Sequence, residues 1–161
     1  MRLWDFAVAI HAEPGVDAGL LDLQDNHGQC VSYLLWAVWT ARMGRPVSQA
    51  QRASAAELAR AWESEVGGPL RAARRNLKRS WPPMSDEARE ALRSQVKAVE
   101  MDAERALIEA LEATTSAGSG SGSGAADVAE RLGAAMAAWS PTAPIDAAAD
   151  LLPIFEGFAI C

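Results

Sequence analysis

At 161 residues, half of them apolar, the chain is long enough to form one globular domain burying about 68–70% of its unfolded surface, which excludes an intrinsically disordered protein. A net charge of −6 and a pI near 4.9 argue against a general nucleic-acid binder, because phosphate contacts need a basic face. The two cysteines, Cys30 and Cys161, make no disulfide framework, and that points to a reducing compartment.

Leu3, Phe6, Ala7 and Ile10 recur at i, i+3, i+4 and i+7, the apolar stripe of a first helix that Pro14-Gly15 ends. Asp5 interrupts its apolar run and His11-Ala12-Glu13 follows closely, so no signal peptide is read and a cytoplasmic protein is expected. Trp4 and Phe6 are expected as core anchors. Asp17 is placed to cap a short second helix through Leu23. The turn Gln24-Asp25-Asn26-His27-Gly28 then combines residues that tolerate left-handed backbone with Asp25, which can accept from the free amides of the next helix.

That next helix, Cys30 to Met43, is the stretch around which the chain is organised. Between Cys30 and Ala41 only Ser32 and Thr40 are polar, and both hydroxyls can bond back to their own helix. A helix apolar on every side is either central in a packed domain or in a membrane. Twelve residues are too few for a hydrocarbon core that needs about 20. The fold expected is therefore all-α, a single compact bundle of six to eight helices around this one, with no membrane contact. Gly44 and Arg45-Pro46 end the helix.

Ser48-x-x-Gln51 reads as a capping box opening a fourth helix that runs past Leu58, Trp62 and Val66 to Gly67-Gly68. Pro69 opens a fifth helix, where its missing amide costs nothing. On a helical wheel Leu70, Ala73, Leu77 and Trp81 form one arc, while Arg71, Arg74, Arg75, Lys78 and Arg79 form the opposite one. Such a basic arc is either a solvated face paired to acidic neighbours or a site for an anion or an acidic partner.

After Trp81-Pro82-Pro83, Ser85 caps a long sixth helix with Asp86 and Glu87 in its first turn. Its expected core stripe is Ala88, Leu92, Val96, Val99, Ala103, Ala106 and Ala110, flanked by Leu107 and Leu111. Glu100 falls within that flank and Glu104 just beyond it. A carboxylate among apolar neighbours needs a partner, and the arginines of the preceding helix, Arg71, Arg74 and Arg75, are the nearest candidates. A structural ion pair is the favoured account, with a catalytic acid as the alternative.

Residues 1–113 thus read as a helical core domain. Residues 114–126, TTSAGSGSGSGAA, read as a flexible linker or loop, whether engineered or native. Residues 127–161 are expected to pack back on the core: a helix from Asp127 to Trp139, then a segment capped by Asp146 whose apolar tail docks on its own domain or on a partner.

Four ordered blocks carry a resemblance: Leu3-Trp4-x-Phe6-Ala7, Pro14-Gly15-Val16, Leu21-x-Leu23-Gln24-Asp25-x-x-Gly28, and Val31-Ser32-x-Leu34-Leu35 with Trp39. Together with Pro69-Leu70-Arg71-x-x-Arg74-Arg75-x-Leu77-Lys78 and Lys97-x-x-Glu100, they resemble an uncharacterised proteobacterial family of unknown function. The likeness covers roughly residues 3–107 and implies no activity. Ser32 departs from it, standing where an Asn is expected.

Motifs for chemistry are sparse. His27-x-x-Cys30 with Asp25 offers too few ligands for a structural zinc site, since only His11 and Cys161 remain to complete it. Asp22-x-x-Asp25 beside the basic arc has the elements of a Mg²⁺-diphosphate site, although all-helical isoprenoid enzymes bring two acid-rich motifs on a much larger chain. No phosphate loop, nucleophile elbow or zinc-protease helix is present. No metal or cofactor is expected. The reading favoured by the sequence is a small binding protein, an adaptor or regulatory subunit that engages a protein partner through the basic helix and the apolar tail. The alternative is a small-molecule-binding protein or enzyme for an anionic phosphate or diphosphate ligand. The candidate binding residues are Gln24, Asp25, Arg71, Arg74, Arg75, Lys78 and Glu100.

Overall fold

The apolar stretch at the centre of the sequence forms helix α3, Val31–Arg42, in which every residue from Ser32 to Ala41 is buried. Burial on all sides requires neighbours on all sides, and α3 touches α1 (Leu3–His11), α2 (Val16–Asp25), α4 (Gln49–Trp62), α6 (Asp86–Ala113) and α7 (Ala125–Trp139). The bundle is completed by α5 (Gly68–Asn76), a 3-10 turn (Ile145–Ala148) and α8 (Leu152–Gly157). These elements come from a computed structural model that describes residues 1–115, 125–140 and 144–160; among them there is no strand. The glycine-serine stretch expected as a linker falls, at residues 116–124, outside the described residues, as does Cys161.

Side chains of α3 tie the surrounding elements to it. The Trp39 indole donates to the Met1 carbonyl oxygen at 3.3 Å and the Tyr33 hydroxyl to that of Arg52 at 3.3 Å. Thr40 bonds back to the Ala37 carbonyl at 2.8 Å, so its hydroxyl is satisfied inside the apolar centre. The C-terminal segment packs on its own chain. Leu151 and Phe155 are buried, and the Arg42 guanidinium donates to the carbonyl oxygens of Glu156, at 2.6 Å, and Phe158, at 2.5 Å. Phe158 meets Phe6 edge to face.

Helix boundaries depart from expectation in instructive places. Gly15, at φ 86°, stands before α2, and Asp17 lies inside the first turn without capping it. Ser48 and Gln51 form the reciprocal capping box, and the Ser85 hydroxyl accepts from the Ala88 amide, both as expected. Asp146 sits within the 3-10 turn and caps nothing; Pro144 precedes that turn.

Gly67-Gly68 does not stop the fourth helix. The chain passes from α4 through a π-helical turn, Glu63–Gly67, directly into α5. The glycines allow this because a Cβ on Gly68 would stand 2.7 Å from the Glu63 carbonyl oxygen, and one on Gly67 would stand 2.9 Å from the Glu63 carboxylate. Glycine to alanine within a helix ordinarily gains about 1 kcal/mol. Gly68→Ala is expected instead to lose about 1–3 kcal/mol, the cost of overpacking against an atom that cannot rotate away. Urea denaturation gives the sign directly.

The long helix α6 buries the flank of its expected stripe and leaves much of the stripe itself exposed. Its buried residues are Glu100, Ala103, Leu107, Ile108 and Leu111. Leu92 and Val99, expected in the core, are exposed, and Ala88 and Ala106 are exposed with them. α6 packs more on α5 than on any other element, and α5 itself has no buried residue. α5 ends at Asn76, so Lys78 and Arg79 lie in the turn beyond it and the five basic residues do not share one helical face.

Candidate functional site

Helices α1, α2, α3, α5 and α6 and the π turn enclose a cavity of about 400 Å³, within the range of small-molecule sites. Trp4, Ala7, Leu20, Val31, Leu35 and Ile108 provide apolar wall. Its lining also includes Val8, Leu21 and Met101, which are about half exposed, at 55%, 49% and 46%. Three large apolar side chains from three helices therefore meet solvent around one opening.

One end of the cavity is polar and charged. The π turn places Glu63 against Arg71, whose Nη1 donates to Glu63 Oε2 at 3.0 Å and Nη2 to Oε1 at 3.4 Å. Arg71 Nε also lies 3.5 Å from Glu100 Oε1. Arg74 binds the same carboxylate in a two-point grip, Nε to Oε2 and Nη2 to Oε1, the latter at 3.2 Å. Glu100 is 5% exposed, and a carboxylate so enclosed persists because two guanidinium groups hold it. The hydrogen bonds that Arg74 donates to Glu100, and the charge of that carboxylate, hold the Arg74 guanidinium above its ordinary value against the opposing effect of burial. For Arg71, burial works downward, but Glu63 and Glu100 more than offset it.

One turn along α6 from Glu100, Glu104 also lines the cavity and makes no hydrogen bond or ion pair among the described residues. Burial, followed by the like charge of Glu100, raises its carboxyl above the ordinary value of 4.5; Arg71 and Arg74 only partly oppose them. A carboxyl raised by folding favours the folded chain while protonated and disfavours it once ionised. Glu104→Gln is therefore expected to leave the melting temperature unchanged below the ordinary value. It should raise it increasingly as the pH climbs from the ordinary value to the raised one, with the gain constant above that. Thermal melts of both proteins across pH 4–8 check this.

Of the residues singled out in the sequence, Gln24, Arg71, Arg74 and Glu100 come together at this cavity. Asp25 does not cap α3, whose N-cap residue is Cys30 with no side-chain bond. It closes α2 instead, accepting from the Gln24 amide at 3.1 Å and from Arg75. The Gln24 bond first, then Arg75, holds its carboxyl below the usual range. The Asp25–Arg75 pair is about half exposed and outside the cavity lining, as is Lys78, which is exposed in the turn after α5. Asp22 accepts from Asn26 and lies near His27, so the two aspartates of Asp22-x-x-Asp25 have separate partners. Cys30 is buried, and burial, with the charge of Glu63, pushes its thiol up to about 12. No group of three potential metal ligands is found among the described residues.

Glu63 is the residue that sequence reasoning passed over, since a π turn has no periodicity to announce it. The signal present was the Gly67-Gly68 pair four and five residues later.

Fold and site together define an all-α bundle protein with an apolar-walled cavity closed at one end by paired charges. By sequence, the chain belongs to a family described as protein of unknown function, DUF2390, which it matches over residues 2–111. That span holds every residue of the cavity. Searches of curated proteins and of solved structures find no match.

Proposed function

We propose that this protein is a small-molecule-binding protein whose ligand lies in the cavity between α1, α2, α3, α5 and α6, with an apolar body against the walls and a polar group toward Glu104 and Arg71. The observation that carries this reading is the cavity itself. It is large enough for an organic ligand, has exposed apolar side chains in its lining, and carries the Glu63–Arg71–Glu100–Arg74 cluster and Glu104 in its wall.

The adaptor reading has less support, because part of the basic helix and part of the apolar tail are engaged within the chain. Arg71 and Arg74 are bound to glutamates, and Phe155 is buried. A phosphate or diphosphate ligand finds weaker support, because those guanidinium groups would have to give up Glu63 and Glu100 to receive it.

Nile red, a neutral apolar dye, tests the reading. The wild-type protein is expected to bind one equivalent with enhanced fluorescence. At 100 times its dissociation constant the dye should add about 2.7 kcal/mol of stability, or roughly 5–11 °C in melting temperature for a chain of this size. Ser32→Trp, which places an indole in the cavity wall, should lose most of that binding while circular dichroism stays helical. Absence of saturable dye binding by the wild type would refute the proposal.

A further inference from the structure

The charges around the cavity are unbalanced. Four carboxylates line it, those of Asp17, Glu63, Glu100 and Glu104, against two guanidinium groups, those of Arg71 and Arg74, and one imidazole, that of His11, which lies 3.5 Å from Asp17. The arginines are already engaged, Arg71 with Glu63 and Glu100, Arg74 with Glu100 through two nitrogens. Glu104 has no such partner among the described residues. An entering anion would have to break a guanidinium pair and then lie beside an unpaired carboxylate, which low-dielectric surroundings make costly. An entering cation meets an acceptor with no donor to displace. We infer that the cavity takes an amphipathic cation, a protonated amine donating to Glu104 with its hydrocarbon part on the Trp4, Leu35 and Ile108 wall.

Glu104 supports this in its own right: burial and the neighbouring Glu100 disfavour its charge. An ammonium group there would reverse that penalty, since an opposite charge within a few ångströms favours the ionised carboxylate. The Glu104 carboxylate is thus the acceptor in the cavity wall that no protein donor occupies among the described residues, and a ligand's ammonium group supplies both a donor and an opposite charge.

This inference rests on the cavity being a ligand site, and the test separates the two. Octylammonium, 1-octanol and octanoate share one apolar body and differ in the charge of the head group. Each is titrated against the Nile red complex of the full chain at pH 7.5, for wild type and for Glu104→Gln. Octylammonium is expected to bind wild type about tenfold more tightly than octanol, the gain of one charge-assisted hydrogen bond, and octanoate more weakly than octanol. Glu104→Gln should bring octylammonium to within about threefold of octanol. Failure of all three to displace the dye would count against the cavity as a ligand site. Equal binding of octanol and octylammonium by wild type, tighter binding of octanoate, or an undiminished ammonium preference in Glu104→Gln would each overturn the cation inference while leaving the cavity reading intact.

Discussion

Glu100→Ala is expected to cost about 3 kcal/mol of stability, the lower end of the range for removing one member of a buried ion pair. Glu100 is 5% exposed, and it receives Arg74 through two nitrogens and Arg71 through a third. Its removal leaves Arg74 with no carboxylate partner, while Arg71 keeps Glu63, which places the cost at the lower end. In a chain of 161 residues this corresponds to a fall of roughly 6–12 °C in melting temperature. The double variant Glu100→Met with Arg74→Met should recover part of the loss, because it removes the orphaned charge as well as its partner. A loss below about 0.5 kcal/mol for Glu100→Ala would mean that solvent screens the cluster as it does a surface pair. The cavity end would then be wet and open, not fixed.

The cluster was partly legible in the sequence because a carboxylate at an apolar position demands a partner wherever the chain folds. That requirement linked Glu100 to arginines 26 and 29 residues earlier, and the structure supplies two of the three named, Arg74 and Arg71. The role of the basic helix was not legible. A helical wheel shows that basic residues share an arc, but not whether the arc faces solvent or a neighbouring helix. Here Arg71 and Arg74 turn inward, while Lys78 lies beyond the helix end.

The central helix could be read because a run of apolar residues has one outcome in a chain of this size, and burial from Ser32 to Ala41 follows from it. Helix α6 could not be placed so surely, because it carries two apolar arcs. The expected arc passes through Leu92 and Val99. The buried face keeps Ala103 from that stripe and is centred on its expected flank, Leu107 and Leu111 with Glu100 among them, roughly 80° further round at 3.6 residues per turn. Alanines on the first arc and a charged residue on the second bias a periodicity argument toward the wrong face. Pairing with arginine is what makes the second face buriable. The π turn is a similar case: glycines at 67 and 68 are ordinary stop signals by composition, and only the close approach of the Glu63 carbonyl to Gly68 shows what they permit.

Phe155→Ala is expected to destabilise the protein by about 3–4 kcal/mol, because removing a fully buried aromatic ring loses its transfer energy and leaves a cavity. The residue is 1% exposed on α8. The segment around it is held by Arg42 at two carbonyl oxygens, by the Phe6–Phe158 contact, and by Leu151 lying close over Gly19. Urea denaturation should show the loss as a lower midpoint with unchanged slope, the signature of a native contact removed without a change in the surface exposed on unfolding. The result also bears on what the protein does. An apolar C-terminal tail that serves a partner must be able to leave its own domain at small cost, so for such a tail Phe155→Ala would lower stability by less than about 1 kcal/mol, the range of ordinary surface substitutions. A loss of the expected size instead makes the tail part of the packed bundle that supports α1 and α3 behind the cavity. The apolar surface left for recognition then includes the rim formed by Val8, Leu21 and Met101, where a ligand with an apolar body would enter.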